Sequence, residues 1–120
     1  MTLREVKEVL DAEVIVGEDQ LETEITNGAN ADLMSDALAF AKSASVLLTG
    51  LTNTHVVRTC HVLDIAAVIM VHGKRPLPDA VQLARELRMP ILLTDYILYQ
   101  AAGRLCDHGI PGCTQKVGRG

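Results

Sequence analysis

The chain has 120 residues, of which 48% are hydrophobic and 22% charged, and this is the size and composition of one globular domain. Its only aromatic residues are one Phe and two Tyr, too few for a base-stacking surface for single-stranded nucleic acid. The net charge is −4, and no run of Lys or Arg indicates nucleic-acid binding. No apolar stretch approaches the roughly 20 residues that span a membrane, and no signal peptide is apparent, so we expect a cytoplasmic protein with reduced cysteines.

The first quarter of the chain predicts a helix, a strand, a loop and a second strand. Thr2 and Glu5 have the spacing of a capping box, which starts a helix over residues 3–10. Residues 13–16 are β-prone, and Gly17 ends that strand. Residues 18–24 are acidic and polar, as in a loop, and residues 25–27 predict a short strand that runs into a turn at 28–30.

From Asp32 onward, capped helices alternate with apolar strands. Asp32, Asn53 and Asp95 are predicted to cap helices, and Pro78 suits the first turn of another. The helix after Asp32 is expected to bury Leu33, Met34, Ala37, Leu38 and Ala41. The predicted strands over 46–49, 67–71 and 91–94 are wholly apolar, as in a sheet that is covered on both faces.

This alternation predicts an α/β fold: a single layered domain with a mostly parallel sheet flanked by helices. We expect the domain to span residues 1–106 and residues 107–120, which are rich in Gly, to form a flexible C-terminal tail. The order of the strands cannot be read from the sequence.

The carboxyl ends of parallel strands are the usual place for a ligand, and this sequence puts polar and glycine-rich turns there. Glycines permit close approach, helix N-termini offer N–H groups to an anion, and Lys74 and Arg75 add positive charge. Each such turn is also explained by ordinary capping. The candidate ligand-binding residues are Asn27, Gly28, Asn30, Thr49, Gly50, Thr52, Asn53, His72, Gly73, Lys74, Thr94 and Asp95.

The sequence contains no complete catalytic or nucleotide-binding motif. The P-loop pattern fails because Gly73-Lys74 is followed by Arg75, and the Rossmann glycines and the Gly-x-Ser-x-Gly elbow are absent. Asp95 is the one carboxylate placed for acid–base work, although an N-cap role explains it more simply. We therefore predict no catalytic residues, no cofactor and no enzymatic activity.

Cysteine and histidine residues near the C-terminus are weak candidates for metal ligands. Cys106, His108 and Cys113 are close in sequence and chemically suited to a soft metal, but structural zinc normally has four ligands. Ordinary thiols are the simpler explanation, and Cys60 is expected to pack in the core.

Four segments together resemble the DRTGG-domain family, over about residues 3–106. They are Asp32–Phe40 (DLMSDALAF), Val46–Asn53 (VLLTGLTN), Val71–Pro76 (VHGKRP) and Leu93–Tyr96 (LTDY). The chain departs from the family's naming motif at Gly28-Ala29-Asn30. The similarity is greatest to the short stand-alone members encoded near iron-only hydrogenase genes.

This resemblance implies a fold related to the N-terminal domain of HPr kinase/phosphorylase and a regulatory role. It also implies a homodimer and a protein partner in a redox or hydrogenase system. The leading hypothesis is a non-catalytic regulatory or accessory module that binds a small anionic or nucleotide ligand. The alternatives are an enzyme of phosphoryl or phosphate-ester chemistry, with Lys74, Arg75 and Asp95 at the same turns, and a metal or redox accessory of a hydrogenase. No nucleic-acid or membrane partner is expected.

Overall fold

The computed structural model describes residues 1–43, 45–113 and 116, with the backbone alone for Phe40. Helices and strands alternate along most of the chain. In chain order they are α1 (Leu3–Val9), β1 (Glu13–Val16), a 3-10 turn (Glu18–Gln20), β2 (Asn27–Asn30), α2 (Met34–Phe40), β3 (Ser45–Thr49), α3 (Thr54–Val62), β4 (Ala67–Met70), α4 (Pro78–Leu87), β5 (Ile91–Leu93) and α5 (Leu98–Asp107).

The strands form one sheet in the order β1-β5-β4-β3-β2. Strands β2 to β5 are parallel, while β1 runs antiparallel beside β5. The predicted α/β class with a mostly parallel sheet is therefore confirmed. Because chain order and spatial order agree from β2 to β5, the carboxyl ends of these strands lie in one row along a single edge, called the rim below.

The sheet is covered on both faces, which explains why its central strands are buried throughout and consist mostly of apolar residues. One core layer lies between the sheet and α2, α3 and α4, and contains Leu47, Val57 and Val68. The other lies against α1 and α5, and contains Leu3, Ile69 and Leu105. Side chains of β3 and β4 alternate between the two layers, and both layers require apolar residues. No described helix has the length and apolarity needed to cross a membrane.

Two predicted caps are confirmed and two are wrong. Thr2 and Glu5 form the capping box of α1, and Asn53 Oδ1 accepts a hydrogen bond from the Val56 N–H at the start of α3. Helices α2 and α5 instead begin after Leu33 and Ile97, and these N-cap residues have no side-chain hydrogen bond to the helix. Asp32 and Asp95 stand one and two residues too early to serve as caps, because their turns are longer than predicted.

The other corrections lie on and around β2. The strand occupies residues 27–30, where the sequence predicts a turn, because parallel pairing with Ser45–Leu48 of β3 supplies its hydrogen bonds. Leu33 and Leu38 were expected to be buried, but they are 61% and 57% exposed. Helix α2 is only seven residues long, and of its described side chains Met34 and Ala37 are the buried ones.

The segment that follows α5 also differs from the expected loose tail. Ile110 and Cys113 are buried. The Gly28 N–H donates to the carbonyl of Pro111, and the Cys113 N–H donates to the carbonyl of Gly28. Residues up to 113 are therefore packed along the outer edge of β2. Residues 114, 115 and 117–120, which the predicted tail also included, lie outside the described residues.

Candidate functional site

Six of the predicted ligand-binding residues come together at the rim. Thr49-Gly50, His72-Gly73 and Thr94-Asp95 follow β3, β4 and β5, and the register pairs Thr49 with Met70 and Met70 with Leu93. Three neighbouring strands thus end at the same level. At these strand ends the side chains of Thr49 and Thr94 are buried, whereas His72, Gly73 and Asp95 are exposed to solvent.

Asp32, which was predicted only as a helix cap, belongs to the same group. Its Oδ1 accepts hydrogen bonds from the Gly50 N–H at 2.7 Å and from Thr49 Oγ1 at 3.2 Å. Thr49 Oγ1 in turn accepts the Leu51 N–H at 3.1 Å. The carboxylate therefore occupies the Gly50 N–H, so this backbone donor is used within the fold. An aspartate just after an edge strand does not by itself indicate this role, because Asp is also common at helix N-caps.

His72 joins the end of β4 to the start of α5. Both His72 and Gly73 have a φ of +65°, the left-handed region that a non-glycine residue seldom occupies. Main-chain bonds hold them there, from the His72 N–H to the Tyr96 carbonyl at 2.9 Å and from the Gly73 N–H to the Thr94 carbonyl at 3.0 Å. The ring nitrogen Nε2 accepts the Leu98 N–H at 3.0 Å, so the imidazole provides the missing cap of α5.

Gly50 separates Asp32 from His72. A Cβ added to Gly50 would lie 3.5 Å from Asp32 Oδ1 and 3.6 Å from His72 Nδ1. Both distances are ordinary van der Waals contacts, so the glycine leaves a space about the size of a methyl group between the two polar side chains. We call Asp32, Gly50 and His72 the cradle.

A cleft of about 350 Å³ opens beyond the cradle, at the end of β5. It is lined by Leu10, Asp11, Thr94, Asp95 and Tyr96. Thr94 Oγ1 donates to the Leu10 carbonyl at 2.7 Å and accepts the Tyr96 N–H at 3.3 Å, which fixes the floor of the cleft. Asp95 Oδ1 lies 2.9 Å from the position of a Cβ on Gly73. The glycine at 73 therefore lets Asp95 lie against the turn that carries His72.

The basic residues of the rim are unequal. Arg75 forms an ion pair with Glu13 of β1, with a distance of 3.0 Å from Nη2 to Oε1, so its charge is partly used within the fold. Lys74 is exposed and has no ion-pair partner among residues 1–43, 45–113 and 116. Lys74 is thus the more available base for a ligand phosphate.

The remaining predicted ligand residues do not join this group. Asn27 and Gly28 lie at the amino end of β2, where Asn27 Oδ1 accepts a hydrogen bond from Cys113 Sγ at 2.8 Å. Their prediction as rim residues is wrong because the strand begins, rather than ends, at Asn27. Asn30 ends β2 and therefore lies on the rim, but at its outer end and beside Leu48, one residue before Thr49. Asn53 caps α3, and Thr52 accepts the Leu77 N–H through its carbonyl.

The metal candidates are not brought together. Cys106 is exposed on α5, His108 Nδ1 lies 2.8 Å from the Arg104 carbonyl, and Cys113 is buried against Asn27. In the part of the chain that the structure describes, no group of three or more His, Cys, Asp or Glu residues could hold a metal ion. Cys60 lies in the core as predicted, and its burial raises the pKa of the thiol to about 12.

Sequence reasoning missed a second cleft, at the opposite end of the sheet. It measures about 410 Å³, and its polar lining includes Ser43, His61, Asp64 and Arg88. Ser43, Asp64 and Arg88 lie in the turns that lead from helices into strands, and His61 lies in the last turn of α3. The βαβ rule places no ligand at this end of the sheet. The carboxyl-end rim remains the better candidate because its polar side chains also converge through specific hydrogen bonds.

Comparison with known proteins agrees with this architecture. The family model of the DRTGG domain matches residues 5–107, which is most of the chain. The protein belongs to the DRTGG domain family. No curated protein matches the chain.

Among solved structures, the DRTGG chain is similar to the CBS and DRTGG domains of the regulatory region of Clostridium perfringens pyrophosphatase, determined in complex with its activator diadenosine tetraphosphate. The TM-score is 0.71 at 14% sequence identity, and the match covers 87% of this chain but 45% of that one. At this identity the similarity shows a shared fold. The present chain spans less than half the length of that relative.

Proposed function

We propose that this DRTGG domain is a regulatory or accessory binding module without catalytic activity, and that it binds a nucleotide or another small phosphate-bearing ligand at the rim. The observation that carries the proposal is the cradle, where Asp32 and His72 face the same space above Gly50. The neighbouring cleft of about 350 Å³ is large enough for part of such a ligand, and Lys74 provides charge for a phosphate.

The comparison supports a regulatory role, because the similar region of the Clostridium perfringens protein is a regulatory region and was determined with a nucleotide activator. A module of this kind acts by changing the behaviour of a partner. We therefore extend the proposal to a homodimer or a protein partner, including one in a redox or hydrogenase system. Sedimentation of the purified chain and affinity capture from the source cells test these two extensions.

Ligand binding can be tested by thermal unfolding against a panel of nucleotides and phosphorylated metabolites. A ligand that binds the native state raises the Tm by mass action. Gly50→Ala is the matching variant, since its new methyl group fits the fold but fills the cradle. It should remove the Tm shift without lowering the Tm of the free protein.

Gly103→Ala is the control for this variant, because a Cβ at this exposed α5 position meets nothing within 4 Å. It should keep the full ligand response. No shift with any ligand in the panel, together with no captured partner, would contradict the proposal. Phosphatase and kinase assays on the wild type and on Asp95→Ala address the alternative of an enzyme at the same rim, and a turnover that requires Asp95 would favour that alternative.

A further inference from the structure

The cradle offers a particular combination of hydrogen-bonding groups, and this combination narrows the chemistry of the ligand that the proposed function assumes. The Asp32 Oδ1 atom already accepts from Thr49 and Gly50. Its Oδ2 atom has no hydrogen-bond partner within the described residues, and Asp32 is exposed. An ionised carboxylate only accepts hydrogen bonds. A ligand group that contacts Oδ2 must therefore be a hydrogen-bond donor.

The tautomer of His72 is determined by the start of α5. Nε2 accepts the Leu98 N–H at 3.0 Å, so this nitrogen carries no proton. A neutral imidazole has one N–H and one acceptor nitrogen, so the proton lies on Nδ1. Nδ1 is the ring atom 3.6 Å from the Cβ position of Gly50. The cradle thus presents a donor on one side of Gly50 and an acceptor on the other.

A phosphate does not suit this position. The Gly50 N–H donates to Asp32 and the Leu98 N–H donates to His72, so neither of these two donors is available to an anion at the cradle. The Asp32 carboxylate would also repel a phosphate held at the cradle. The Gly50 turn was expected to bind a phosphate. The cradle instead fits a neutral group that donates one hydrogen bond and accepts another.

A vicinal diol meets this requirement, because one hydroxyl can donate to a carboxylate while its neighbour accepts from an N–H. Carboxylates at strand ends hold ribose hydroxyls in this way in other α/β proteins. We infer that the cradle binds the ribose diol of a nucleotide, between Asp32 Oδ2 and His72 Nδ1, and that the phosphates extend toward Lys74. This inference rests on the proposed function.

The surface beside His72 suits the base of the same nucleotide. Ile97 and Tyr99 flank Leu98 at the start of α5, and they are 59% and 86% exposed. A planar ring such as a nucleotide base is stabilised when it stacks on an exposed tyrosine ring. The base is therefore expected to pack against the first turn of α5.

The test is isothermal titration of the full chain with ATP and with 2′,3′-dideoxy-ATP, which lacks the diol. The wild type should bind ATP at least tenfold more tightly, because losing a hydrogen bond to a charged group costs about 1.5–3 kcal/mol. Asp32→Asn keeps an acceptor for Gly50 but loses the carboxylate, and it should reduce the preference for the diol to less than threefold. Asp36→Asn, an exposed acid on α2, is the matched control and should leave the preference unchanged.

The other possible results of the titration count against the inference. Equal binding of both nucleotides, or a preference that survives Asp32→Asn, overturns this inference and leaves the proposed rim site intact. Binding of neither nucleotide overturns the inference, and the proposed function also fails if the whole ligand panel gives no Tm shift. Nitrogen-15 NMR of the His72 ring gives a readout independent of ligand. A proton on Nδ1 supports the inference, and a proton on Nε2 overturns it even if ATP binds.

Discussion

Strands β3 and β2 pair along four successive residues, from Ser45 to Leu48 and from Asn27 to Asn30, yet their sequences have almost nothing in common. Strand β3 (SVLLT) is buried throughout, whereas β2 (NGAN) has no fully buried residue. The first has core layers on both of its faces. The second lies at the edge of the sheet and depends on its pairing with β3 and with residues 111–113.

This difference separates two sources of stability. The central strands are stabilised by apolar burial, which is specified residue by residue in the sequence. The edge strand is stabilised by main-chain hydrogen bonds, which any residue except proline can make. Substitutions in the central strands should therefore lower stability more than substitutions in β2.

Cysteine labelling should give the largest contrast. Burial raises the pKa of Cys60 from 9.0 to about 12, and each unit lowers the thiolate fraction about tenfold. The thiolate fraction of Cys60 is therefore lowered about a thousandfold near neutral pH. Its burial also keeps the reagent out, so a maleimide should modify exposed Cys106 far faster than Cys60. The folded-state pKa is above the unfolded one, so the stability due to this group is complete below pH 9 and falls as the pH rises toward 12. Mass spectrometry of timed reactions measures both rates, and rapid labelling of Cys60 would contradict its place in the core.

Leu47→Ala should be the most destabilising of these substitutions. Leu47 lies at the centre of β3 and is fully buried, so its truncation leaves a cavity and should lower the free energy of unfolding by about 2–5 kcal/mol. Asn27→Ala on β2 removes the hydrogen bond from Cys113 Sγ and an exposed one to Thr26 Oγ1, and it should cost about 1 kcal/mol. Urea unfolding of both variants provides the values. Equal losses would mean that the edge strand is as tightly specified as the central one.

Gly73→Ala and Gly28→Ala compare a rim glycine with an edge glycine. Gly73 has a φ of +65°, and a Cβ there would lie 2.9 Å from Asp95 Oδ1. We expect a loss of about 1–2 kcal/mol, from the left-handed backbone alone. At Gly28 the contacts with Ile110 and Val46 are 3.5 Å, and the backbone is extended, so the change should stay within about 0.5 kcal/mol. Denaturant midpoints distinguish the two, and a tolerated alanine at 73 would argue against the described turn.

Asn53→Ala and a control on the same helix should show the smallest difference of the four comparisons. The Asn53 side chain caps α3 through the Val56 N–H at 3.2 Å, and losing an N-cap costs about 1 kcal/mol. Arg58→Ala, at an exposed position of the same helix, should change stability by less than about 0.5 kcal/mol. Thermal unfolding of the pair checks the cap. A cost at Arg58 equal to that at Asn53 would show that the cap contributes nothing specific.

The comparison of strands also explains which features were predictable from the sequence. Val46–Leu48, Val68–Met70 and Ile91–Leu93 are apolar runs between capping residues and glycines, and such runs are typical of buried parallel strands. Asn27–Asn30 has turn composition, and its strand character comes from neighbours distant in sequence. The strand predicted over residues 25–27 therefore lies two to three residues too early, and for this reason Asn27 and Gly28 were wrongly expected at the rim.

The cradle shows a further limit of sequence reasoning. Gly50 and His72 were predicted as rim residues from local turn chemistry, but Asp32 was interpreted as a cap. Its hydrogen bond to Gly50 joins residues 18 positions apart, and no local pattern encodes that contact. The bond between Leu98 and His72 spans 26 positions and is equally invisible in the sequence. The position of the rim was predictable, but the occupancy of its N–H donors was not.

The most direct test of the rim as a binding site is an amide NMR titration with a nucleotide that raises the Tm. Gly50 and Gly73 lie at the rim. Gly28 and Gly112 lie side by side near the amino end of β2, away from the rim. We predict saturable shifts of the Gly50, Gly73 and Leu98 amides, while those of Gly28 and Gly112 stay unchanged. Shifts confined to Gly28 and Gly112 would contradict the account and move the binding site to the edge strand.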